Sequence, residues 1–424
     1  MDAMDPNDYT VVPARVGVVF DAQLSLDKLQ ESWYQTLEVR PIMQARVRRS
    51  KSAPSDLDYH VYTPRDMDFF CLDESHRSIA DYCAGFGIGP SAPSHSYGTF
   101  VADVADSGES KRCQAFNAVQ NLDAILDSDR PIAIIQVTRF KDATLITISV
   151  SHIMGDVFTV RPLFKGWESS LSGTPPAPFE QLGHDPFRAY GPGGELAGKD
   201  ARFLSGFLWD CHIIRPEKTI SQKYIFISEA EQQALEAQAK QDLSKIEKTQ
   251  NGVVGQGPLT VTRIVNARAR PPTGMKPQSK GDGFPKRYWY GAAMVASLPS
   301  LKVGKLMDMS LGELALHIKD GIREASTPEN TRRFLAWTMY HSLWSKPTGK
   351  LALFKPPSHH WSGLTDWRLI RFHDIDFTPS RLDESGQRVV VSGFDSHMVT
   401  AATQRDFWVC FGKYPYLQRR ASKL

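Results

Sequence analysis

The chain has 424 residues, 41% of them apolar and 23% charged, with a formal net charge of +3. That length predicts two domains of roughly 200 residues each, and the composition excludes a globally disordered chain. The charges are interspersed. The densest basic cluster, Arg46-Val47-Arg48-Arg49-Ser50-Lys51, has no interleaved aromatics, which argues against a nucleic-acid surface. Five cysteines, Cys71, Cys83, Cys113, Cys211 and Cys410, are widely spaced without a Cys-x-x-Cys pair. Neither a disulfide framework nor a zinc site is implied, and a reducing compartment fits. The first residues, Met1 to Pro6, are acidic and polar, unlike a signal or transit peptide. No apolar run approaches the roughly 18 residues of a membrane helix. The cytosol is therefore the expected location.

In chain order, Val16 to Phe20 reads as a short strand. Leu26, Leu29, Trp33 and Leu37 then recur at helical spacing, Pro41 ends that helix, and Ile42 to Arg48 is a candidate strand. From Ser50 to Arg130 the pattern is weak and predicts short elements joined by loops. The clearest hairpin follows: Pro131 to Phe140 and Thr144 to Val150, both rich in β-branched residues, flank the turn Lys141-Asp142-Ala143. Phe158, Leu163, Trp167 and Leu171 predict an amphipathic helix with Pro162 in its first turn. Residues 174–198 are rich in Pro and Gly and read as a crossover between domains. Their Gly cluster, Gly191-Pro192-Gly193-Gly194, neither follows a strand nor opens a helix, so it is no phosphate loop. In the second half, Ser221 to Ile227 alternates like a strand. Ser228 and Glu231 form a capping box for a helix through Lys240. Leu259 to Val265 is a strand, Ser310 and Glu313 cap a helix faced by Leu311, Leu314, Ala315, Ile318 and Ile322, and Thr327-Pro328-Glu329 opens another. The pattern is mixed α/β (α+β) in both halves, without regular βαβ alternation or internal repeats. We divide it into 1–173, a linker at 174–215, and 216–424.

Among the 12 histidines only His152 has an aspartate four residues later, Asp156. It stands at the end of the strongest predicted strand, beside Gly155 and ahead of a helix. A core strand that ends in an ionisable residue often opens onto a cleft; the alternative is a hydrogen-bonded structural histidine at a strand end. A neutral imidazole there can take a proton from a hydroxyl or amine that attacks an activated carbonyl, with no metal.

Val150-Ser151-His152-Ile153-Met154-Gly155-Asp156 resembles the His-x-x-x-Asp hallmark of the BAHD acyltransferases, its fungal members in particular. This is the CoA-dependent family within the chloramphenicol-acetyltransferase-like superfamily. Other matches follow in the family's order. Asn266-Ala267-Arg268-Ala269-Arg270 is similar to its Asn-x-Arg-x-Arg segment, and Tyr288-Trp289-Tyr290-Gly291-Ala292 to the aromatic stretch after it. Thr365-Asp366-Trp367-Arg368 and Asp374-Ile375-Asp376-Phe377 resemble the approach to the second hallmark, Asp-Phe-Gly-Trp-Gly. The likeness spans about residues 15 to 412. It implies two similar-sized domains of mixed sheets with a channel between them, a monomer, and His152 as general base. It also implies Thr365 and Trp367 as donors to the thioester oxygen, and Asp376 paired with Arg268 or Arg270. Asp156 would use one of the same arginines, so that Asp156, Arg268, Arg270 and Asp376 are structural at the site. Lys276, Lys280 and Lys286, in the loop after Arg270, are candidates for the CoA phosphates.

The chain departs from the family in three places. The second hallmark reads Asp376-Phe377-Thr378-Pro379-Ser380, without Gly-Trp-Gly; Ala292 replaces an Asn; and residues 244–258 leave little room for a helix that the family carries there. The expected function is acyl transfer from an acyl-CoA co-substrate, acetyl-CoA by default, to the oxygen or nitrogen of a small specialised metabolite. No tightly bound cofactor or metal, nucleic acid or membrane partner is implied. The alternatives are a CoA-independent cyclisation or condensation on the same scaffold, a non-catalytic binding protein, and a peptide-synthetase condensation domain. Ser151 and Val157 stand where that last group carries His and Gly. Two lesser candidates are His359-His360 with His373 as metal ligands, and Cys410 as an acyl-carrying nucleophile.

Overall fold

The computed structural model describes residues 13–49, 59–62, 68–79, 81, 100–103, 131, 133–151, 157–178, 223–246, 259–266, 293–297, 306, 308–327, 329–330, 360–395 and 407–410. They form a mixed α/β fold around two mixed sheets.

The first sheet is built from β1 (Pro13–Phe20), β4 (Phe70–Glu74), β6 (Ala133–Phe140), β7 (Thr144–Ser151) and β12 (Val391–Asp395), in the order β12-β1-β7-β6-β4. All neighbours are antiparallel except β4 and β6. The predicted hairpin is β6–β7, closed by Phe140 N–H donating to Ala143 O at 2.8 Å. Alternation decides its faces. Ile146, Ile148 and Val150 of β7 join Val16, Val18 and Phe20 of β1 and Ile135 and Val137 of β6 in one buried cluster. The other face carries Gln136, Thr138, Thr147 and Ser149, polar and also buried.

Two helices cover the apolar face. The first, α1 (Leu26–Val39), starts at Ser25, whose Oγ accepts from Lys28 N–H at 3.3 Å, and buries Leu29, Trp33 and Leu37. Pro41 stops it, and Pro41–Gln44 becomes a 3-10 turn. The strand expected from Ile42 therefore begins only at Arg46, as β2 (Arg46–Arg49), paired with β3 (Tyr59–Tyr62). The second helix, α2 (Val157–Leu171), packs on α1 through Trp167. The Trp167 indole N–H donates to Leu29 O at 3.1 Å and Ser32 Oγ at 2.9 Å, so its polar atom is satisfied inside the core. Pro162 was expected in the first turn of this helix but occupies its sixth position. Its ring removes one helical hydrogen bond there, and Arg40 supports the same turn by donating from Nη1 to Pro162 O.

The second sheet has the order β10-β9-β11-β13, with β9 (Leu259–Asn266), β10 (Ala293–Ser297), β11 (His360–Asp366) and β13 (Phe407–Cys410). β11 is parallel to both β9 and β13. Nearby, α3 (Glu229–Ile246) packs against α4 (Leu311–Ala325). The α4 capping box is complete: Ser310 Oγ accepts from Glu313 N–H, and the Glu313 carboxylate accepts from Ser310 N–H at 2.8 Å. At α3, Ser228 Oγ accepts from Glu231 N–H at 3.1 Å, and the helix runs past the expected end at Lys240 to Ile246. Thr327 Oγ1 accepts from Asn330 N–H at 3.2 Å, as the start of another helix requires. Gly312 lets α4 approach α3 closely enough for its N–H to reach Asp242 Oδ2 at 3.2 Å.

Two pairings join the halves of the sequence. β5 (Phe100–Asp103) pairs with β8 (Lys223–Phe226). More consequentially, the chain leaves the second sheet after Asp366 and enters the first core. Trp367, Ile370, Phe372, Ile375, Phe377 and Val389 are buried there before β12 pairs with β1. Residues 367–395, expected in the second half, thus pack with the first.

Candidate active site

The first sheet and its helices bracket the predicted base. β7 ends at Ser151, next in sequence to His152, and α2 begins at Val157, next after Asp156. Val150 and Val160 are fully buried in the same cluster, so both flanks of the segment are anchored in one core. His152 and Asp156 themselves lie outside the described residues, as do Arg268, Arg270, Lys276, Lys280 and Lys286. The stretch 288–292 and residues 247–258 do too.

Thr365, Trp367 and Asp376 are described. Thr365 is 7% exposed and sits on β11, opposite Ile264 of β9 and Val409 of β13, held on both sides by parallel neighbours. Trp367 is 4% exposed. Its backbone N–H donates to Cys410 O at 2.8 Å, and its indole Nε1–H donates to Thr365 Oγ1 at 3.0 Å. The residue between them points elsewhere. Asp366 accepts from Arg368 Nε at 2.9 Å and Nη2 at 2.6 Å, and this pairing raises the guanidinium pKa further above its ordinary value.

Asp376 was expected as a buried carboxylate, but its side chain is 44% exposed. Its own loop solvates it: Oδ1 accepts from Thr378 N–H at 3.0 Å and from Thr378 Oγ1, while Oδ2 lies 3.4 Å from Arg388 Nε. The expected partners Arg268 and Arg270 are outside the described residues, so Arg388 is the described cation. Thr378 Oγ1 also accepts from Val389 N–H at 2.9 Å, closing the loop. The Asp376 N–H donates to Glu168 Oε1 of α2 at 2.8 Å, and Lys165 Nζ meets Glu168 Oε2 at 2.6 Å.

The altered second hallmark is accommodated locally. Phe377 is fully buried, stacked on Phe20 at 5.1 Å between centroids and edge-on to Trp167 at 5.0 Å. Thr378–Ser380 forms a 3-10 turn with Pro379 at its start, where the missing N–H costs nothing. Ser380 O then accepts from Ser25 N–H at 2.7 Å and Pro379 O from Lys28 Nζ at 3.3 Å, tying the turn to the start of α1. Glu168 and Arg388 escaped sequence reasoning because neither belongs to a motif; a charged residue on the apolar side of α2 was the one available signal.

The lesser candidates fall on separate elements. His360 opens β11, His373 lies 3.2 Å from Asp374 in a 3-10 turn, and His359 is outside the described residues. Cys410 ends β13, half-buried. Among the described residues no helix is long and apolar enough to cross a membrane.

No family model matches the sequence. The acetyltransferase MATC1 of Mycosarcoma maydis is 28% identical over 485 aligned residues, covering 95% of this chain and 90% of that protein. The acetyltransferase MAT1 of Pseudozyma antarctica is 29% identical, with the same coverage of both chains. In fold, the chain resembles Fusarium graminearum TRI101 in complex with coenzyme A and T-2 mycotoxin. That TM-score is 0.52 at 12% identity, covering 93% of this chain and 88% of that one. The first condensation domain of the CDA synthetase scores 0.53 at 11% identity, over 94% of this chain and 82% of that one. With sequence relatives named acetyltransferases along 95% of its length and the fold shared by TRI101, the chain is similar to CoA-dependent acyltransferases of the BAHD type and is a transferase.

Proposed function

We propose that this enzyme transfers an acyl group, acetyl by default, from acyl-CoA to the hydroxyl or amine of a small specialised metabolite. The observation that carries this reading is the buried Thr365–Trp367 pair at the junction of the two sheets, in a chain whose relatives are named acetyltransferases. The condensation-domain neighbour shares the fold alone.

His152 takes the proton from the acceptor as its oxygen or nitrogen attacks the thioester carbonyl carbon. The carbonyl oxygen becomes an oxyanion, stabilised by hydrogen bonding from the Thr365–Trp367 pair. Collapse re-forms the carbonyl and breaks the carbon–sulfur bond. The leaving CoA sulfur takes the proton from His152, so the base is regenerated without a metal. Asp156, Arg268, Arg270 and Asp376 hold the segments around the base, with Arg388 and Thr378 supporting Asp376. Lys276, Lys280 and Lys286 meet the CoA phosphates. A solved TRI101 complex, which holds CoA together with T-2 mycotoxin, supplies the precedent for CoA and a small molecule bound side by side in this fold. The working division is 1–173 and 216–424 joined by 174–215, with residues 367–395 packed in the first unit; the enzyme works as a cytosolic monomer.

The test is incubation with acetyl-CoA and a panel of alcohols and amines, following thiol release and the acetylated product. His152→Ala should lower turnover by roughly 10²–10⁴-fold. Full activity in that variant would remove His152 from the mechanism. Calorimetry showing no CoA binding would instead favour a CoA-independent condensation on this scaffold.

A further inference from the structure

Two buried charges on α2 take no part in the acyl-transfer steps above. The Arg161 side chain is 2% exposed and that of Glu168 11%, and the two lie 3.7 Å apart. Lys165, half-exposed, reaches the other Glu168 oxygen at 2.6 Å. A carboxylate is costly to bury, so it persists in a core only where hydrogen bonds and counter-charges offset that cost. Arg161 and Lys165 are on the same helix as Glu168. The partner from outside α2 is the backbone N–H of Asp376, which donates to Glu168 Oε1 at 2.8 Å.

We propose that Glu168 is a positioning residue for the base: it fixes the register of α2 against the second-hallmark segment. This rests on the acyl-transfer reading above, in which His152 is the base. The helix starts directly after Asp156, and the segment that carries Asp376 starts directly after Trp367. Rings make most of the interface between these two pieces. Phe164 lies edge-on to Phe372 at 6.3 Å and tilted to Phe377 at 6.0 Å between centroids, and Trp167 lies edge-on to Phe377 at 5.0 Å. Apolar burial is non-directional, so a small slide of α2 over these rings changes it little. A hydrogen bond to a carboxylate is short and directional, and it selects one register. Val157 and Glu168 are about 16 Å apart along the helix axis, so Glu168 acts on the site through the helix and not by contact. A helix carries an axial shift from one end to the other, and a misplacement of about 1 Å at the reacting atoms costs up to about 100-fold in rate.

The experiment measures kcat and KM for acetyl-CoA by thiol release from the full-length enzyme, with the best acceptor of the panel above, at a temperature where circular dichroism shows each variant folded. Glu168→Ala removes the acceptor of the Asp376 N–H and should lower kcat by about 10–100-fold with KM for acetyl-CoA little changed. Glu168→Gln keeps an oxygen at the Oε1 position and turns its amide N–H₂ toward Lys165, which can swing into solvent. It should restore most of kcat. Both variants should lower the thermal midpoint, because Arg161 loses its counter-charge in each, so stability and turnover part company in Glu168→Gln. If Glu168→Ala fails to fold, Arg161→Met/Glu168→Met replaces the buried pair with apolar side chains. Its kcat is compared with that of Arg161→Met/Glu168→Gln, which restores the acceptor and should turn over about tenfold faster or more. Wild-type kcat in folded Glu168→Ala, or a kcat as low in Glu168→Gln as in Glu168→Ala, would overturn the positioning role while leaving acyl transfer intact. Equal turnover in the two double variants would do the same. Wild-type protein that acetylates no alcohol or amine of the panel would overturn the acyl-transfer reading, and the positioning role with it.

Discussion

Arg40 lays its guanidinium across Gly166 of α2, at the one face of the helix without a side chain. From there it donates to Pro162 O, and through Nε at 2.9 Å and Nη2 at 2.7 Å to Ala177 O. One buried cation, 6% exposed, thus joins the end of α1, the turn of α2 weakened by proline, and the segment after α2. Because α2 begins next to Asp156, this joint also bears on the candidate site.

Gly166→Ala should therefore destabilise the enzyme. A Cβ at 166 would displace the guanidinium and leave a buried charge with fewer partners, at a cost of about 3 kcal/mol. The thermal midpoint should fall by several degrees. In an Arg40→Met background the same substitution should cost much less, and equal losses in both backgrounds would refute the coupling.

The second hallmark makes a separate prediction. Thr378 Oγ1 bridges the Asp376 carboxylate and Val389 N–H. Thr378→Val keeps the shape and removes both bonds, costing about 1–2 kcal/mol, whereas Thr378→Ser should be close to neutral. The Thr378→Val enzyme should show a lower thermal midpoint and reduced acyl transfer.

At acid pH one pair offers a signed test. Arg139 holds the Asp73 carboxyl at about 2, below its ordinary 3.8. A depressed carboxylate stabilises the fold above its unfolded pKa and loses that contribution as pH falls through the folded one. The stability difference between wild type and Asp73→Asn should be complete above pH 3.8 and gone below about 2. Its size should stay under about 1 kcal/mol, since the Asp73 side chain is 45% exposed and solvent screens the pair. Urea melts across that range measure it.

Local elements were largely legible in the sequence. The β6–β7 hairpin, α1, α2 and α4 each announce themselves by apolar period, turn residues or caps, because those signals act between residues a few positions apart. The same locality explains the errors. Ile42 to Gln44 looks like strand but is a 3-10 turn, since Pro41 sets its backbone and Met43 finds the core from there. Pro162 was placed by a rule for isolated helices, and a tertiary contact from Arg40 supports it deeper in the helix.

By itself, the sequence determined the mixed α/β class, the strand that leads to His152, and the ordered motifs that single out Thr365, Trp367 and Asp376. Only the tertiary structure decided that residues 367–395 return to the first core and that β12 pairs with β1, more than 370 positions away. It alone set Asp376 against Thr378, Arg388 and Glu168, and spent the Trp367 N–H on Thr365. The physical reason is range. Side-chain period and capping are written into neighbouring residues, whereas strand pairing and hydrogen-bond partners across the chain follow from which buried surfaces and polar groups can be satisfied together.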